Sequence, residues 1–336
     1  METDVGVPIR RSALKAPLKL FQPPTIERIL VPIDFSRESL KSIPYALAIS
    51  RQFGADVHLL HVLDTSQYLS PSLMSLTAVV RAEWNERLKA RLKKLASRYR
   101  TGGLLHVLEP AEGVAYKEIC SAARHLGADL ILVATHGYTG FRRAFLGSTA
   151  ERIVQHSSCP VLIVRHRRLT WAARNGHRAD TAFTLNKILV PTDLSDCAKV
   201  AFTYAVDLAR EFHAQLSLVH VINPNAYPFG DEFAALHAAQ LIREASRAAR
   251  KKMGEMLAKT GVRYTARVEH GLPAREICAA AKRDVDLIVT STHGRTGLGH
   301  VLIGSVAEHI VRCAHCPILV IPARNKLSNN QTHNPG

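Results

Sequence analysis

The sequence is written twice. Ile29-Leu-Val-Pro-Ile-Asp34-Phe-Ser36 returns as Ile188-Leu-Val-Pro-Thr-Asp193-Leu-Ser195 at an offset of 159 residues, and Thr135-His-Gly137 returns as Thr292-His-Gly294 at 157. Between and beyond them the same order holds for His61-Val62 and His220-Val221, Glu118-Ile-Cys120 and Glu276-Ile-Cys278, Gly147-Ser148 and Gly304-Ser305, and Cys159-Pro160 and Cys316-Pro317. A period this long is a whole domain rather than a solenoid unit, so the chain is a tandem duplication. With 336 residues, 47% of them apolar, each copy can bury its own core, and a wholly disordered chain is excluded.

Each half alternates short apolar runs with helical patterns. In the first half, strands are expected at Arg28–Ile33, Val57–Val62, Leu104–Leu108, Leu130–Thr135 and Val161–Val164. Helices are expected at Arg37–Phe53, Val79–Arg100, Ala115–Leu126 and Ser148–Gln155, from apolar residues three and four apart. The strand runs are almost continuously apolar, as in a parallel sheet covered on both faces. An α/β fold of two tandem doubly wound domains follows, with helices on both faces of each sheet. Ligands of such sheets bind outside the carboxyl ends of the strands, here just after Ile33, Val62 and Thr135.

The expected organisation is a flexible arm over 1–25, a first domain over 26–165, a linker over 166–186, a second domain over 187–322 and a disordered tail over 323–336. Trp171 and Phe183 are the linker residues able to dock on a domain. The longest apolar run, Leu130 to Ala134, is far shorter than the ~18–20 residues of a membrane-spanning helix. The first residues are acidic and build no apolar signal core, so a cytoplasmic location is expected. Six cysteines are sparse and read as small buried residues rather than disulfides.

The net charge of +16 is the abnormal number. Arm, linker and tail carry +7 of it, and the two domains share +9. Arg87, Lys89, Arg91, Lys93, Lys94, Arg98 and Arg100 cluster on one helix, with Glu83 and Glu86 toward its start, and read as a solvated face matched to the helix dipole. No aromatic platform or basic recognition motif is evident beside them, which weighs against nucleic acid.

The strand ending at Thr135 runs into a loop with Gly137, Gly140, Gly147 and Ser148, and its copy carries Gly294, Gly297, Gly304 and Ser305. Glycines after a strand allow positive φ and close backbone approach, and Gly-Ser at a helix start offers unpaired amides and the positive end of the dipole. Such a loop can cradle phosphates. The bland alternative is that the glycines permit tight packing and Ser148 and Ser305 cap helices. Neither GxxxxGK[ST] nor a complete GxGxxG is present.

This arrangement closely resembles the universal stress protein family, over nearly all of 26–165 and 187–322. The match rests on the Pro-x-Asp-x-Ser opening, the final Cys-Pro strand, and a glycine, nine residues, then Gly-Ser in each half, at Gly137 to Gly147 and Gly294 to Gly304. The first glycine of the family pattern is Ala134 in one half and Ser291 in the other. The resemblance implies a five-stranded parallel sheet of order 3-2-1-4-5 in each half. It implies a stress-response regulator binding ATP or another adenine nucleotide, with Mg2+ or Mn2+ as its accompanying ion. Pro32, Asp34 and Val57, with Pro191, Asp193 and Leu216, would line the adenosine site. Ala134, His136, Gly137, Gly140, Gly147, Ser148 and Thr149 would wrap the phosphates in one half. Ser291, His293, Gly294, Gly297, Gly304, Ser305 and Val306 would do so in the other, with Arg142, Arg143 and Arg295 adding charge. Ser36 and Ser195 serve as helix caps, which leaves Asp34 and Asp193 to the ligand. The last strands, Val161–Val164 and Ile318–Ile321, are the expected contact of an intramolecular pseudo-dimer, and a further pairing of two chains stays open. The competing reading is a nucleotide-free interaction module of the same fold.

No catalytic residue is assigned. His136 and His293 lack a nucleophile partner, His61 and His220 end strands and read as structural, and nothing beyond slow ATP hydrolysis has support. Cys313-Ala-His-Cys316 has CxxC spacing, but it ends a helix and its copy keeps only Cys159, so packing is preferred to metal or redox chemistry and no metal ligand is assigned.

Overall fold

The computed structural model describes residues 25–64, 78–99, 102–134, 147–164, 184–226, 232–282, 284–292 and 304–322. The arm but for its last residue, the linker up to residue 183 with Trp171 and Phe183, and the tail lie outside the described residues.

The first half contains β1 (Arg28–Pro32), α1 (Arg37–Phe53), β2 (Asp56–Leu60), β3 (Val62–Asp64), α2 (Ala78–Ala96), β4 (Leu105–Val107), β5 (Ala111–Gly113), α3 (Ala115–Leu126), β6 (Leu130–Ala134), α4 (Ser148–His156) and β7 (Val161–Val164). The second contains β8 (Lys187–Pro191), α5 (Asp196–Glu211), β9 (Gln215–Ile222), α6 (Glu232–Ala258), β10 (Tyr264–His270), α7 (Pro273–Ala280), β11 (Leu287–Ser291), α8 (Ser305–Cys313) and β12 (Ile318–Ile321). Local chemistry sets the ends of α1. Ser36 accepts a hydrogen bond from the Ser39 amide at 3.1 Å, and Gly54, at φ 70°, closes the helix by donating to the Ser50 carbonyl.

Ten strands form one sheet in the order β10-β9-β8-β11-β12-β7-β6-β1-β2-β4. Each half thus has the 3-2-1-4-5 order, with every pairing inside a half parallel. The halves join where β7 and β12 run antiparallel, with Ile163 opposite Ile318 and Leu162 opposite Leu319.

Successive strand residues face opposite ways. Ile29, Val31, Leu130 and Leu132 enter one core, beneath α1, α2, α5 and α6. Leu30, Ile131 and Val133 enter the other, beneath α3, α4, α7 and α8. Both cores run through both halves. At the junction an apolar cavity of about 30 Å³ is lined by copies of the same positions, Ile26 with Leu185, Ile49 with Leu208, Leu130 with Leu287 and Leu162 with Leu319. Leu185, inside the expected linker, is 2% exposed and packs there as Ile26 does in the first half.

One expected strand is broken. The run Val57–Val62 divides into β2 and β3, and β3 pairs with β5 in a separate two-stranded sheet. In the second half β9 and β10 stay paired throughout. The first half carries one residue more here, since Leu105 takes the place of Tyr264 at an offset of 159 but Gly113 that of Gly271 at 158, and this insertion interrupts the ladder before the Ala111 amide donates to the His61 carbonyl.

Candidate functional site

β1 and β6 are neighbours whose following helices go to opposite faces, α1 over one core and α4 over the other. Their carboxyl ends therefore flank the crevice where a doubly wound sheet receives its ligand. The same holds for β8 and β11.

At this end Asp34 is built into a tight turn. Its Oδ1 accepts from the Ser36 amide at 2.9 Å, and Phe35 between them has φ 60°. The copy repeats this, with Asp193 Oδ1 accepting from Ser195 at 3.0 Å and Leu194 at φ 65°. Ser36 and Ser195 are the helix caps, as expected. The aspartates are nonetheless not left wholly to a ligand, since each orders the turn that presents the cap. A histidine braces each turn. His61 Nδ1 lies 2.6 Å from the Ile33 carbonyl, and His220 Nδ1 lies 2.8 Å from that of Thr192. A carbonyl only accepts, so Nδ1 carries the proton in both. Burial lowers the His61 pKa, with the Ile33 carbonyl acting the other way. Both histidines tie the second strand of their half to the first, which is the structural role expected of them.

The register separates two expected residues from this end. Val57 pairs with Ile29 and Leu216 with Ile188, toward the amino ends of their strands, and both are fully buried. Apolar type and strand membership do not reveal which end of a strand a residue occupies. Pro32 and Pro191 end β1 and β8, and Ala134 and Ser291 end β6 and β11, so these four do gather at the crevice.

Gly147 and Gly304 immediately precede α4 and α8, with φ −60° and −57° and extended ψ. Positive φ is therefore not what glycine supplies at these two positions; backbone approach remains. They are also the cap residues, so Ser148 and Ser305 occupy the first helical turn, and the glycine at each cap has no side chain to offer. Thr149 and Val306 follow within that turn. The Gly304 amide donates to the Thr292 carbonyl at 2.8 Å, so the start of α8 is pinned to the end of β11. His136, Gly137, Gly140, His293, Gly294 and Gly297, with Arg142, Arg143 and Arg295, lie outside the described residues.

Two residues beside the site escape the sequence patterns. Phe35 carries the left-handed turn, and the Arg91 guanidinium of α2 lies over its ring at 4.0 Å. Only the spacing of Arg91 within its basic run hinted that it shared a face with other cations. Elsewhere, Cys313 is exposed and Cys316 buried, none of the six cysteines is in a disulfide, and burial pushes the Cys159 thiol up to about 11. Among the described residues no group of three or more His, Cys, Asp or Glu is placed to hold a metal, and no helix is long and apolar enough to cross a membrane.

The sequence model of the universal stress protein family matches residues 25–165 and again 184–322. A universal stress protein of Methanocaldococcus jannaschii is 34% identical over 170 residues, covering 49% of this chain and 96% of that protein. One from Mycolicibacterium smegmatis is 26% identical over 309 residues, covering 88% of this chain and 97% of its own. The crystal structure of a universal stress protein from Archaeoglobus fulgidus superposes with a TM-score of 0.64 at 22% identity, covering 89% of this chain and 97% of that one.

Proposed function

Because the chain belongs to the universal stress protein family, with its domain present twice, we propose that it binds ATP or another adenine nucleotide at the strand carboxyl ends of one or both halves. The observation that carries this reading is the start of α4 and α8. Each starts on a glycine cap with Ser148 or Ser305 in its first turn, beside a strand-end turn holding Asp34 or Asp193. Amides at a glycine-capped helix start and the helix dipole suit phosphate, and a carboxylate at the far side of the crevice suits ribose or adenine hydroxyl and amine donors. A Mg2+ or Mn2+ ion would accompany the phosphates. The protein acts as a stress-response regulator in this reading: the bound nucleotide shifts which surface is presented. The halves work as an intramolecular pseudo-dimer, a reading supported by the antiparallel pairing of β7 with β12.

The test is calorimetry of ATP with the full chain and with Gly147→Trp and Gly304→Trp, together with analysis of nucleotide retained through purification. Binding lost in one variant, or additively in both, assigns the sites. No heat and no retained nucleotide in the unmutated chain overturns the reading in favour of a nucleotide-free interaction module.

A further inference from the structure

Trp84, Arg87, Arg91 and Lys94 recur three and four residues apart on α2, and Arg98 continues the row just past its end. Trp84 is 42% exposed, and the side chain of Arg87 is 78% exposed with Glu83 3.8 Å away. Lys89, on another face of the helix, pairs with Glu109. Arg91, Lys94 and Arg98 line a pocket of about 280 Å³ together with the apolar Phe35, Leu40 and Leu95. From Trp84 to Lys94 the row runs about 15 Å along the helix, at a rise of about 1.5 Å per residue. That is long enough to meet more than one phosphate of a strand.

The duplication supplies an internal control. α6 takes the place of α2 in the second half, and Lys252 donates to the Leu194 carbonyl at 3.2 Å where Arg91 covers Phe35. Leu92 and Met253, the next residue in each, are both fully buried. Counted from that pair, Trp84, Arg87, Lys94 and Arg98 correspond to Ala245, Ala248, Glu255 and Lys259. Lys252 and Lys259 keep two of the cations, but the fold forms without Trp84, Arg87 and Lys94, so packing does not explain these three. The helix dipole accounts for a basic end as a solvated face, and the sequence shows no aromatic platform beside it; in the fold Trp84 stands on the same face of the helix and Phe35 joins the row from the β1 turn.

We propose that this face of α2 binds single-stranded nucleic acid, with phosphates along Arg87, Arg91, Lys94 and Arg98, a base on Trp84 and another over the Arg91–Phe35 stack. Cations tracking a backbone beside exposed aromatic and guanidinium planes are the elements of sequence-tolerant single-strand binding.

Fluorescence anisotropy of a short labelled oligo(dT) with the full chain, titrated with salt, tests this. Binding is expected to weaken with salt. Reversing Arg91, Lys94 and Arg98 to Glu is expected to lower the log–log salt slope by about 2, at about 0.7 per phosphate contact. Trp84→Ala is expected to weaken binding roughly tenfold with the slope kept. A second variant carries the α6 residues, Trp84→Ala, Arg87→Ala and Lys94→Glu, which the fold already tolerates in its other half. In this second variant, which leaves Arg91 and Phe35 in place, ATP binding is the separate readout and should not change. Oligonucleotide binding that is absent, or undiminished in the variants and so due to arm or linker, overturns the proposal. So does equal loss of binding to anionic lipid vesicles when oligo(dT) never binds.

Discussion

Phe53 and Phe212 meet edge to face, with ring centroids 5.9 Å apart and planes at 75°. They are the same position in the two copies, and so are their neighbours Gln52 and Glu211, whose side chains approach to 3.4 Å. A residue that touches its own copy lies on the two-fold relation between the halves. This contact closes the junction on the α1 and α5 side, as β7 and β12 close it through the sheet. On the other face Arg312 of α8 pairs with Glu308 at 2.6 Å and reaches Glu151 of α4 at 3.6 Å.

If the halves are energetically coupled through that ring pair, a double-mutant cycle with Phe53→Leu and Phe212→Leu will show it. The expected coupling is about 0.5–1.5 kcal/mol, the excess of an edge-to-face pair over its area. It is measured by chemical unfolding, and additive effects would place the pair outside the energetics of the junction.

Leu162 and Leu319 face each other in the ladder and border the apolar cavity between the halves. Truncating either to Ala enlarges a space that the sheet cannot collapse into, so each is expected to destabilise by about 2–5 kcal/mol. Thermal unfolding should also lose cooperativity, because the shared strand pair is what makes the two cores one. Retention of a single sharp transition in Leu162→Ala with unchanged midpoint would contradict this.

Gly113 and Gly271 precede α3 and α7 at φ 145° and 143°, where a Cβ would lie 2.8 and 2.9 Å from Oε1 of Glu118 and Glu276. The carboxylates are flexible, so the lasting strain is in the backbone. Gly113→Ala and Gly271→Ala are each expected to destabilise by about 1–3 kcal/mol. Adding Glu118→Ala or Glu276→Ala should restore only part of that loss, as read by urea unfolding midpoints.

His58 is stacked on His106, with centroids 5.0 Å apart, and its two buried ring nitrogens find no hydrogen-bond partner among the described residues. Burial first, and the neighbouring His106 second, lower its pKa; burial lowers that of His61 as well. The unfolded chain therefore binds these protons at higher pH than the folded one does. Stability is expected to be full above about 6.5 and to fall as pH drops through and below it. His58→Leu removes the unpaired nitrogens and is expected to add about 1 kcal/mol at neutral pH and to flatten the acid slope. A variant as acid-sensitive as the parent would assign the slope to other groups.

Most of the fold is legible in the residues. The bounds of α1, α3 and β7 coincide with their apolar patterns, and the strand order of each half is the expected one. The extra residue before Gly113 was visible as a change of offset from 159 to 158, but its effect depended on β2 and β4 being paired neighbours, which is a relation across the chain. The site was legible in part. Asp34, Asp193, Gly147 and Gly304 announce themselves because their residue types are unusual after a strand or before a helix. Phe35 and Arg91 do not, because an aromatic and an arginine are ordinary in those patterns until the turn and the helix bring them within 4.0 Å.

The sequence by itself determined that this protein is one domain repeated, that each copy is a doubly wound α/β sheet, and that the carboxyl ends of its strands carry the glycine-rich and aspartate turns. Those follow from periodicity and residue type, which are local. Only the tertiary structure decided that Val57 and Leu216 sit toward the amino ends of their strands, that the two copies share one sheet and two cores, and that the cations of α2 stand beside the partly buried Phe35 of the β1 turn. Register, strand adjacency and the juxtaposition of faces depend on which distant segments pack together, and burial fixes that choice only when the whole chain has folded.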